Sequence, residues 1–372
     1  MNQMTPIGNE EILISADAKR IADQAAEKAL VRRLAAHCNR FRDPDDRRAL
    51  LEVALTVVPF LVLGAAMIWL AVGAEATLGV WRWLVLLLIA PVEGAFLVRL
   101  FAIQHDCGHG SLTSSRTANR WIGRGLSVFT FTPYALWQRA HAVHHGASGN
   151  LDKRGTGDID TRTLAEYEAM TPRQQLAYRI YRNPWVLIFL GVPLYFLIVH
   201  RLPYTGAMPR MDGLRSAGGL DLALLGFYGL LVWLAGWTVL LAVLPVVVIG
   251  AWIGGWLFYM QHQFEETSWD QNEEWDLHVA AFGGSSWYVM PPIAQWFTGS
   301  IGLHHIHHLC SRVPFYKLQA CFDGSQELRD ASQKVRLTFR ESLACVNLAL
   351  WDESSRRLIT FAEARAMHPS AA

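Results

Sequence analysis

Three short stretches of the sequence concentrate histidine in a chain that is 52% hydrophobic: HDCGH (105–109), HAVHH (141–145) and GLHHIHHLC (302–310). Residues at i, i+3 and i+4 share one face of a helix. The first stretch has histidines at i and i+4, and the other two stretches have histidines at i, i+3 and i+4. The rings so placed are His105, His109, His141, His144, His145, His304, His307 and His308. One ion takes about four to six ligands, so eight imidazoles predict two metal ions. Imidazole suits zinc, copper, iron and nickel, so spacing alone does not select the metal.

The third stretch holds one more histidine than a single helix face needs. At about 100° per residue, one narrow face would carry His304, His307 and His308. An equally narrow face would carry His304, His305 and His308. The i, i+3, i+4 spacing repeated from HAVHH favours the first set, which leaves His305 as a non-ligand.

Ligating imidazoles usually donate their other N–H group to a carboxylate or a carbonyl. Acidic residues near the histidines are candidates for this role, although such residues are commonly only solvated: Asp106, Asp158, Asp160, Glu265 and Glu266. Trp137 precedes His141 by one helical turn. We expect it to pack beneath that ring, and lining a substrate channel is the alternative.

The composition predicts a membrane protein. Charged residues make up 17% of the chain, Trp occurs 15 times, and the apolar residues come in blocks. A net charge of +1 excludes the strongly basic character of a nucleic-acid-binding protein. The five scattered cysteines predict free thiols in a reducing compartment. Residues 16–37 read as a polar amphipathic helix, and no cleaved targeting segment is expected.

Four apolar runs stand out along the chain. Those at 54–74 and 83–98 can each cross the bilayer, the second extended through 100–103 if Arg99 reaches the interface. The run at 184–199 is short and contains Pro193. The stretch 222–264 has no Asp, Glu, Lys or Arg and fits two spans with a turn near 236–238.

The topology follows from charge and parity. Arginines flank the first two runs on the side of the histidines, which predicts a cytoplasmic location for both flanks. If 184–199 crossed the membrane, the third histidine stretch would lie opposite the other two. We therefore expect it to lie in the interface or to re-enter. His262, just past the last run and on the same side, is predicted as a ninth ligand, whereas His278 is predicted to pack nearby or support a ligand.

The predicted fold is an all-α membrane protein, with four transmembrane helices in two hairpins and a cytoplasmic helical cap that holds a di-metal site. We expect an N-terminal cytoplasmic segment (1–50), a membrane domain (51–362) and a C-terminal tail (363–372). Residues 339–366 read as an amphipathic helix. His37, His200 and His368 read as surface or interface residues.

The sequence resembles the membrane fatty acid desaturases, and most closely the bacterial acyl-lipid enzymes of the Δ12 (omega-6) type. The resemblance covers roughly residues 50–362. It rests on the H-x3-H, H-x2-H-H and H-x2-H-H boxes and on the motifs HDCGHGS, LWQRAHAVHHGASGNLD, GDIDTRT, QHQFEET and GLHHIHHLCSRVPFYKL. One departure is Ser300, where the family pattern leads us to expect Asn.

The resemblance implies a non-haem di-iron centre on the eight box histidines, with a further ligand at His262. It implies that O2 is reduced to water while a cis double bond forms in a fatty acyl lipid. The sequence has no cytochrome b5-like HPGG segment, so a separate ferredoxin or cytochrome is expected as electron donor. The expected location is a bacterial inner membrane, with the site facing the cytoplasm and no nucleic-acid partner.

Two kinds of alternative stay open at this point. Another oxygenase of the same superfamily, namely an acyl hydroxylase, epoxygenase, acetylenase or carotenoid ketolase, would use the same histidines. A transition-metal transporter would use them differently, although transporters place their ligands near the bilayer midplane. Here the three stretches lie beyond the apolar runs.

Overall fold

The computed structural model describes residues 8–202 and 206–367, and these are mostly helical. In chain order their α-helices are α1 (Gly8–Cys38), α2 (Asp46–Val72), α3 (Glu75–Leu78), α4 (Trp81–His109), α5 (Arg116–Thr130), α6 (Tyr134–Ala147), α7 (Leu164–Glu168), α8 (Pro172–Tyr181), α9 (Val192–Leu197), α10 (Arg210–Ala235), α11 (Val239–His262), α12 (Leu277–Gly283), α13 (Pro292–Phe297), α14 (His304–Leu309), α15 (Phe315–Asp323), α16 (Gln326–Ser332), α17 (Phe339–Cys345) and α18 (Phe361–Met367). A π-helix spans Trp185–Gly191.

Four of these helices, α2, α4, α10 and α11, are long and apolar enough to cross a membrane. This confirms the predicted number of long apolar helices. The second predicted run is part of a longer helix, because α4 continues without a break to His109. The charge-free stretch also breaks where the sequence predicts a turn. There α10 ends at Ala235, Gly236 adopts a φ of 81°, and α11 begins at Val239.

Glycine permits a close approach of α4 and α11 at the centre of the bundle. A Cβ added at Gly94 of α4 would lie 2.9 Å from the side chain of Ile249, and one at Gly250 of α11 would lie 2.9 Å from Leu97. Both helices end with a histidine of the predicted site. Their contact therefore fixes the positions of two histidine-bearing helix ends relative to each other.

Arg99 of α4 connects α2 to α13, which is not one of the four long apolar helices. Its guanidinium lies 2.5 Å from the carboxylate of Glu52, and both side chains are only 2% exposed. It also donates to Thr56 Oγ1 at 3.1 Å and to the backbone carbonyl of Trp296, and it stacks 3.9 Å above the Trp296 ring. Arg99 is thus buried inside the protein, where the Glu52 carboxylate neutralises its charge, and its depth relative to the membrane interface stays a prediction.

The short apolar run predicted at 184–199 lies in a bent segment. The helix Pro172–Arg182, which contains α8, and the stretch Trp185–Arg201 form an angle of 62°, as in a broken span or a re-entrant loop. The stretch consists of the π-helix, α9 and a 3-10 turn at Val199–Arg201. It packs along α11, where the indole of Trp252 donates to the carbonyl of Phe189 at 3.1 Å.

Two small sheets lie outside the membrane helices. Their strands are β1 (Arg162–Thr163), β2 (Trp287–Tyr288), β3 (Arg336–Leu337), β4 (Leu348–Asp352) and β5 (Arg357–Thr360). In the first sheet β4 lies between β1, which is parallel to it, and β5, which is antiparallel; in the second, β2 and β3 are parallel. The all-α prediction thus describes the membrane helices and misses these strands.

The amphipathic helix predicted over 339–366 is wrong. These residues form α17, the hairpin of β4 and β5, and the start of α18. Every residue of β4 is buried, and its carbonyls accept hydrogen bonds from distant side chains. The Tyr178 hydroxyl donates to Ala349 at 2.7 Å, and the Arg182 guanidinium donates to Leu348 at 2.7 Å. Partners so far away in sequence leave no trace in a local hydrophobic pattern.

The N-terminal helix α1 includes the helix predicted at 16–37 and packs through Val31, Leu34 and Cys38, which are buried. All five cysteines are free thiols, as predicted. The predicted boundaries at residues 50 and 362 fall inside α2 and α18. The division into a membrane domain and two terminal segments stays a prediction.

We expect Glu52→Gln to lower the free energy of unfolding by about 3 kcal/mol, because it leaves the buried Arg99 guanidinium without its counter-charge. Reversible unfolding in mixed detergent micelles measures this change. The matched control is Glu75→Gln, since Glu75 is 78% exposed in its ion pair with Arg82 and such pairs contribute at most about 1 kcal/mol. Equal effects of the two substitutions would contradict a stabilising role of the buried pair.

Candidate metal centre

The nine predicted metal-site histidines come together in two adjacent groups. Within each group, one nitrogen from every ring lies within 4.8 Å of the others. The first group, hereafter the five-histidine group, comprises His105, His109, His141, His145 and His307. The second, the four-histidine group, comprises His144, His262, His304 and His308. The second and third stretches each contribute to both groups.

In the five-histidine group the Nε2 atoms point at a common centre. His141 Nε2 lies 2.9 Å from that of His105, 3.0 Å from that of His109 and 3.1 Å from that of His145. His307 Nε2 lies 3.1 Å from His145 Nε2. A neutral imidazole carries one N–H group, so these nitrogens cannot all be satisfied by hydrogen bonds to one another.

The four-histidine group is held from outside by two acceptors. His144 Nδ1 lies 2.5 Å from an Asp158 carboxylate oxygen, and His262 Nδ1 donates to the Gly284 carbonyl at 2.9 Å. These bonds place the hydrogen on Nδ1 and leave the Nε2 lone pair directed inward. His304 Nε2 lies 3.0 Å from His262 Nε2. The two groups lie side by side: the rings of His145 and His308, one from each group, stack with their centroids 4.1 Å apart.

Several buried nitrogens of the site lack a hydrogen-bond partner among the residues that the structure describes. They are His144 Nε2, His304 Nδ1 and both ring nitrogens of His308. A buried polar atom without a partner costs free energy, and inward-facing imidazole lone pairs are ligands for transition metals. The described residues therefore fit a pair of metal ions, one in each group.

Burial keeps the imidazoles outside the membrane helices neutral. Burial first, and the neighbouring histidines second, hold the pKa values of His141, His145 and His304 well below 6.5. The same two causes act in the same direction on the pKa values of His307 and His308. These rings are therefore unprotonated at pH 7, which is the form that ligates a metal.

Four elements carry the nine rings. The last turn of α4 presents His105 and His109, and the last residue of α11 is His262. Helix α6 carries the second stretch, and the short helix α14 carries the third, with all of its residues buried. Just before α14 the chain turns at Ser300, which has a φ of 56°. Asn adopts this left-handed conformation more readily than Ser, which gives a backbone reason for the Asn that the family pattern leads us to expect at this position.

Of the five acidic candidates, Asp158 makes the predicted contact with an imidazole, and Asp106 lies 3.6 Å from His105 Nδ1. Asp106 mainly orients α15, because it accepts the Phe315 N–H at 2.7 Å. The others serve elsewhere or face solvent. Asp160 pairs with Arg162, Glu265 pairs with Arg357, and Glu266 is exposed.

Aromatic rings pack against both groups. Trp137 stacks on His141 with centroids 4.8 Å apart and an interplanar angle of 14°, which confirms the predicted packing beneath that ring. A Cβ at Gly108 would lie 2.7 Å from the same indole. Phe258, which the sequence analysis missed, meets His144 at 5.7 Å. The Gly284 carbonyl was also missed, because a backbone acceptor has no sequence signal.

The remaining described histidines lie outside the two groups. His305 Nε2 lies 2.8 Å from Ser332 Oγ, and burial lowers its pKa to about 3, so its ring supports the packing of α14 on α16. His278 is half-buried, and His37 Nε2 lies 2.9 Å from the Cys321 carbonyl. His200 is buried, which contradicts a surface position, whereas the alternative of a place at the membrane interface stays a prediction. His368 lies outside the described residues.

The architecture is that of a membrane protein with a candidate multi-histidine metal site, and comparison with known proteins identifies its family. A family model described as fatty acid desaturase matches residues 81–342. The chain is 37% identical over 336 residues to a fatty acid desaturase of Bacillus subtilis, which covers 90% of this chain and 91% of that protein. The chain belongs to the fatty acid desaturase family.

More distant relatives carry more specific names. The chain is 29% identical over 244 residues to an sn-1 acyl-lipid omega-3 desaturase (ferredoxin) of Synechocystis sp., covering 61% of this chain and 64% of that protein. It is 24% identical over 267 residues to an sn-1 oleoyl-lipid 12-desaturase of Picosynechococcus sp., covering 68% and 72%. Family membership makes the protein an oxidoreductase and favours an enzyme over the alternative of a metal transporter.

We expect Asp158→Asn to weaken metal binding about tenfold or more, since it removes the carboxylate that fixes the His144 tautomer. The measurement is the metal content per chain after dialysis against increasing chelator concentrations. Asp160→Asn is the matched control, because Asp160 is two residues away and pairs with Arg162. Unchanged metal retention in Asp158→Asn would show that the hydrogen bond to His144 does not support a ligand.

Proposed function

We propose that this desaturase inserts a cis double bond into an acyl chain of a membrane lipid, at the Δ12 (omega-6) position, with two iron ions held by the nine histidines. The observation that carries this proposal is the meeting of nine imidazoles in two adjacent groups at the ends of apolar helices. An acyl methylene has no acidic or basic handle, so only an oxidant can remove its hydrogens. A two-metal imidazole site next to a lipid-facing bundle suits that task.

Each group of residues has a part in the proposed reaction. When bound, two irons supply the oxidising power, drawn from O2, that an unactivated C–H bond requires. Asp158 and the Gly284 carbonyl orient the rings of His144 and His262. Trp137 and Phe258 close the two groups with apolar surface and exclude water. In the overall reaction the acyl chain loses two hydrogens, and the electron donor supplies two electrons. With two protons from solvent, O2 is reduced to two waters.

The proposed topology is two hairpins with the metal site in a cytoplasmic cap. Helices α4 and α11 both end in the site, and a crossing by α10 before α11 returns the chain to the same side. The segment between α4 and α10 then makes no net crossing, which supports a re-entrant or interfacial course for Trp185–Arg201. Arginines near α2 and α5, at the end of the bundle that carries the metal site, favour a cytoplasmic location of that end. The proposed location of the protein is a bacterial inner membrane.

The proposed electron donor is a ferredoxin, with a cytochrome as the alternative. A ferredoxin and an acyl lipid are part of the name of the Synechocystis relative, and an oleoyl lipid is part of the name of the Picosynechococcus relative. The Δ12 position rests on the resemblance of the histidine boxes and their flanking motifs and on the name of the Picosynechococcus relative. No cofactor beyond the two irons, with O2 as co-substrate, is proposed.

Expression in a bacterial host whose lipids are saturated or monounsaturated, together with a ferredoxin and its reductase, is expected to yield a new cis double bond at Δ12. Gas chromatography with mass spectrometry of the lipid acyl chains locates it. A new hydroxyl, epoxide, triple bond or keto group, in place of a new double bond, would assign the enzyme to another activity of the superfamily. A double bond at another carbon would correct the position alone.

His144→Ala is expected to abolish the product and to reduce iron below about two per chain, because this ring faces the centre of the four-histidine group. Iron analysis of the purified protein, with circular dichroism as a check on folding, gives the comparison. His305→Gln is the matched control in the third stretch, since His305 bonds to Ser332 outside both groups. A folded His144→Ala enzyme with full activity and iron content would refute the proposed ligand set.

A further inference from the structure

The bent segment Trp185–Arg201 borders both the lipid and the protein interior. On its inner side Val192 packs so tightly on α11 that a Cβ at Gly255 would lie 2.7 Å from it. Its outer side is a row of exposed apolar residues: Trp185, Phe189, Leu190, Leu194 and Ile198. This segment therefore offers one of the apolar surfaces that a lipid molecule in the surrounding leaflet can contact.

At the end of the segment lies a histidine that the proposed reaction does not use. His200 is only 6% exposed, and neither of its ring nitrogens has a hydrogen-bond partner among the residues that the structure describes. Its ring stacks on Tyr195 at 4.9 Å and meets the edge of Phe196 at 5.8 Å. A buried imidazole with two unsatisfied nitrogens costs free energy and so points to a polar ligand.

The charged neighbours of His200 are already engaged. Arg201 Nε lies 2.8 Å from the carboxylate of Asp221, and its guanidinium donates to the carbonyls of Phe196 and Leu197. Asp221 is also the last charged residue before the charge-free stretch 222–264. His200 therefore lies where the apolar interior gives way to the polar interface, which is the depth of the ester groups of a bilayer lipid.

A line of aromatic rings runs from His200 to the metal centre. Phe196 beside His200 meets Phe101 of α4 at 6.0 Å, and Phe101 meets Trp137 at 5.4 Å. Trp137 in turn stacks on His141 of the five-histidine group. Three helices contribute to this line, and its rings present the apolar surface that an acyl chain requires.

We propose that His200 positions the substrate by donating a hydrogen bond from its imidazole to the ester carbonyl of a membrane glycerolipid, while the acyl chain follows Phe196, Phe101 and Trp137 to the metal centre. This inference rests on the proposed function. Because the carbonyl is held at one end and the metal site stands at the other, the distance between them selects the methylene that reacts. His200 thereby sets the position of the double bond.

The test compares His200→Phe with His200→Gln in the host described above, with double-bond positions mapped by mass spectrometry. His200→Phe keeps the stack on Tyr195 and removes the donor. We expect its conversion to fall about fivefold, the effect of one lost hydrogen bond, and its product to spread over neighbouring positions. His200→Gln keeps a donor and is expected to keep the wild-type position. His278→Phe, at a half-buried histidine outside both groups, is the matched control and leaves the product unchanged.

Each outcome of this test either supports or overturns the positioning role of His200. A wild-type rate and position in His200→Phe would overturn the role of His200 and leave the proposed function intact. A lower rate with an unchanged position would also overturn it, because a purely structural role has that effect. If neither His200 variant accumulates in the membrane, the ring serves folding and the inference fails. A wild-type enzyme that forms no double bond would overturn the proposed function, and this inference with it.

Discussion

Nine clustered imidazoles, six of them buried and three half-buried, are the constraint on which the rest of the structure depends, because their nitrogens cannot all satisfy one another. A neutral ring has one N–H group and one lone pair, and in the five-histidine group the Nε2 atoms of different rings face each other at about 3 Å. A metal ion between the rings would accept several of these lone pairs at once, whereas protonation would place like charges about 3 Å apart. Burial favours the neutral rings, so the same packing that excludes water prepares the site for metal.

The membrane helices serve that constraint by bringing distant parts of the chain to one place. The close contact of α4 and α11 at Gly94 and Gly250 holds their two histidine-bearing ends together. Arg99 joins α2 to the backbone at Trp296, shortly before the turn that leads into α14. A buried ion pair is weak evidence of stabilisation in itself. Here the pair connects α2, one of the long apolar helices, to the segment that leads into α14 and its histidines.

Local patterns in the sequence were sufficient where the controlling physics is local. Unbroken hydrophobicity marks a helix in lipid, and the spacing of histidines along a helix face marks the three stretches, so the long helices and eight histidines could be found in advance. His262 was predicted from its place just past the last apolar run. The strand β4 could not be found, because its partners Tyr178 and Arg182 lie far away in the chain. Choosing Asp158 over its four acidic rivals, and recognising His200 as buried, likewise required the fold. The Gly284 carbonyl is invisible to any reading of side chains.

The division of the second and third histidine stretches between the two groups has a consequence for how such a site can change. Helix α6 supplies His141 and His145 to one group and His144 to the other, and α14 is shared in the same way. Because both helices carry histidines of both groups, neither group can be assembled while the other is left unbuilt. Loss of either helix would therefore remove histidines from both groups at once. Interleaving thus makes the two groups a single structural unit.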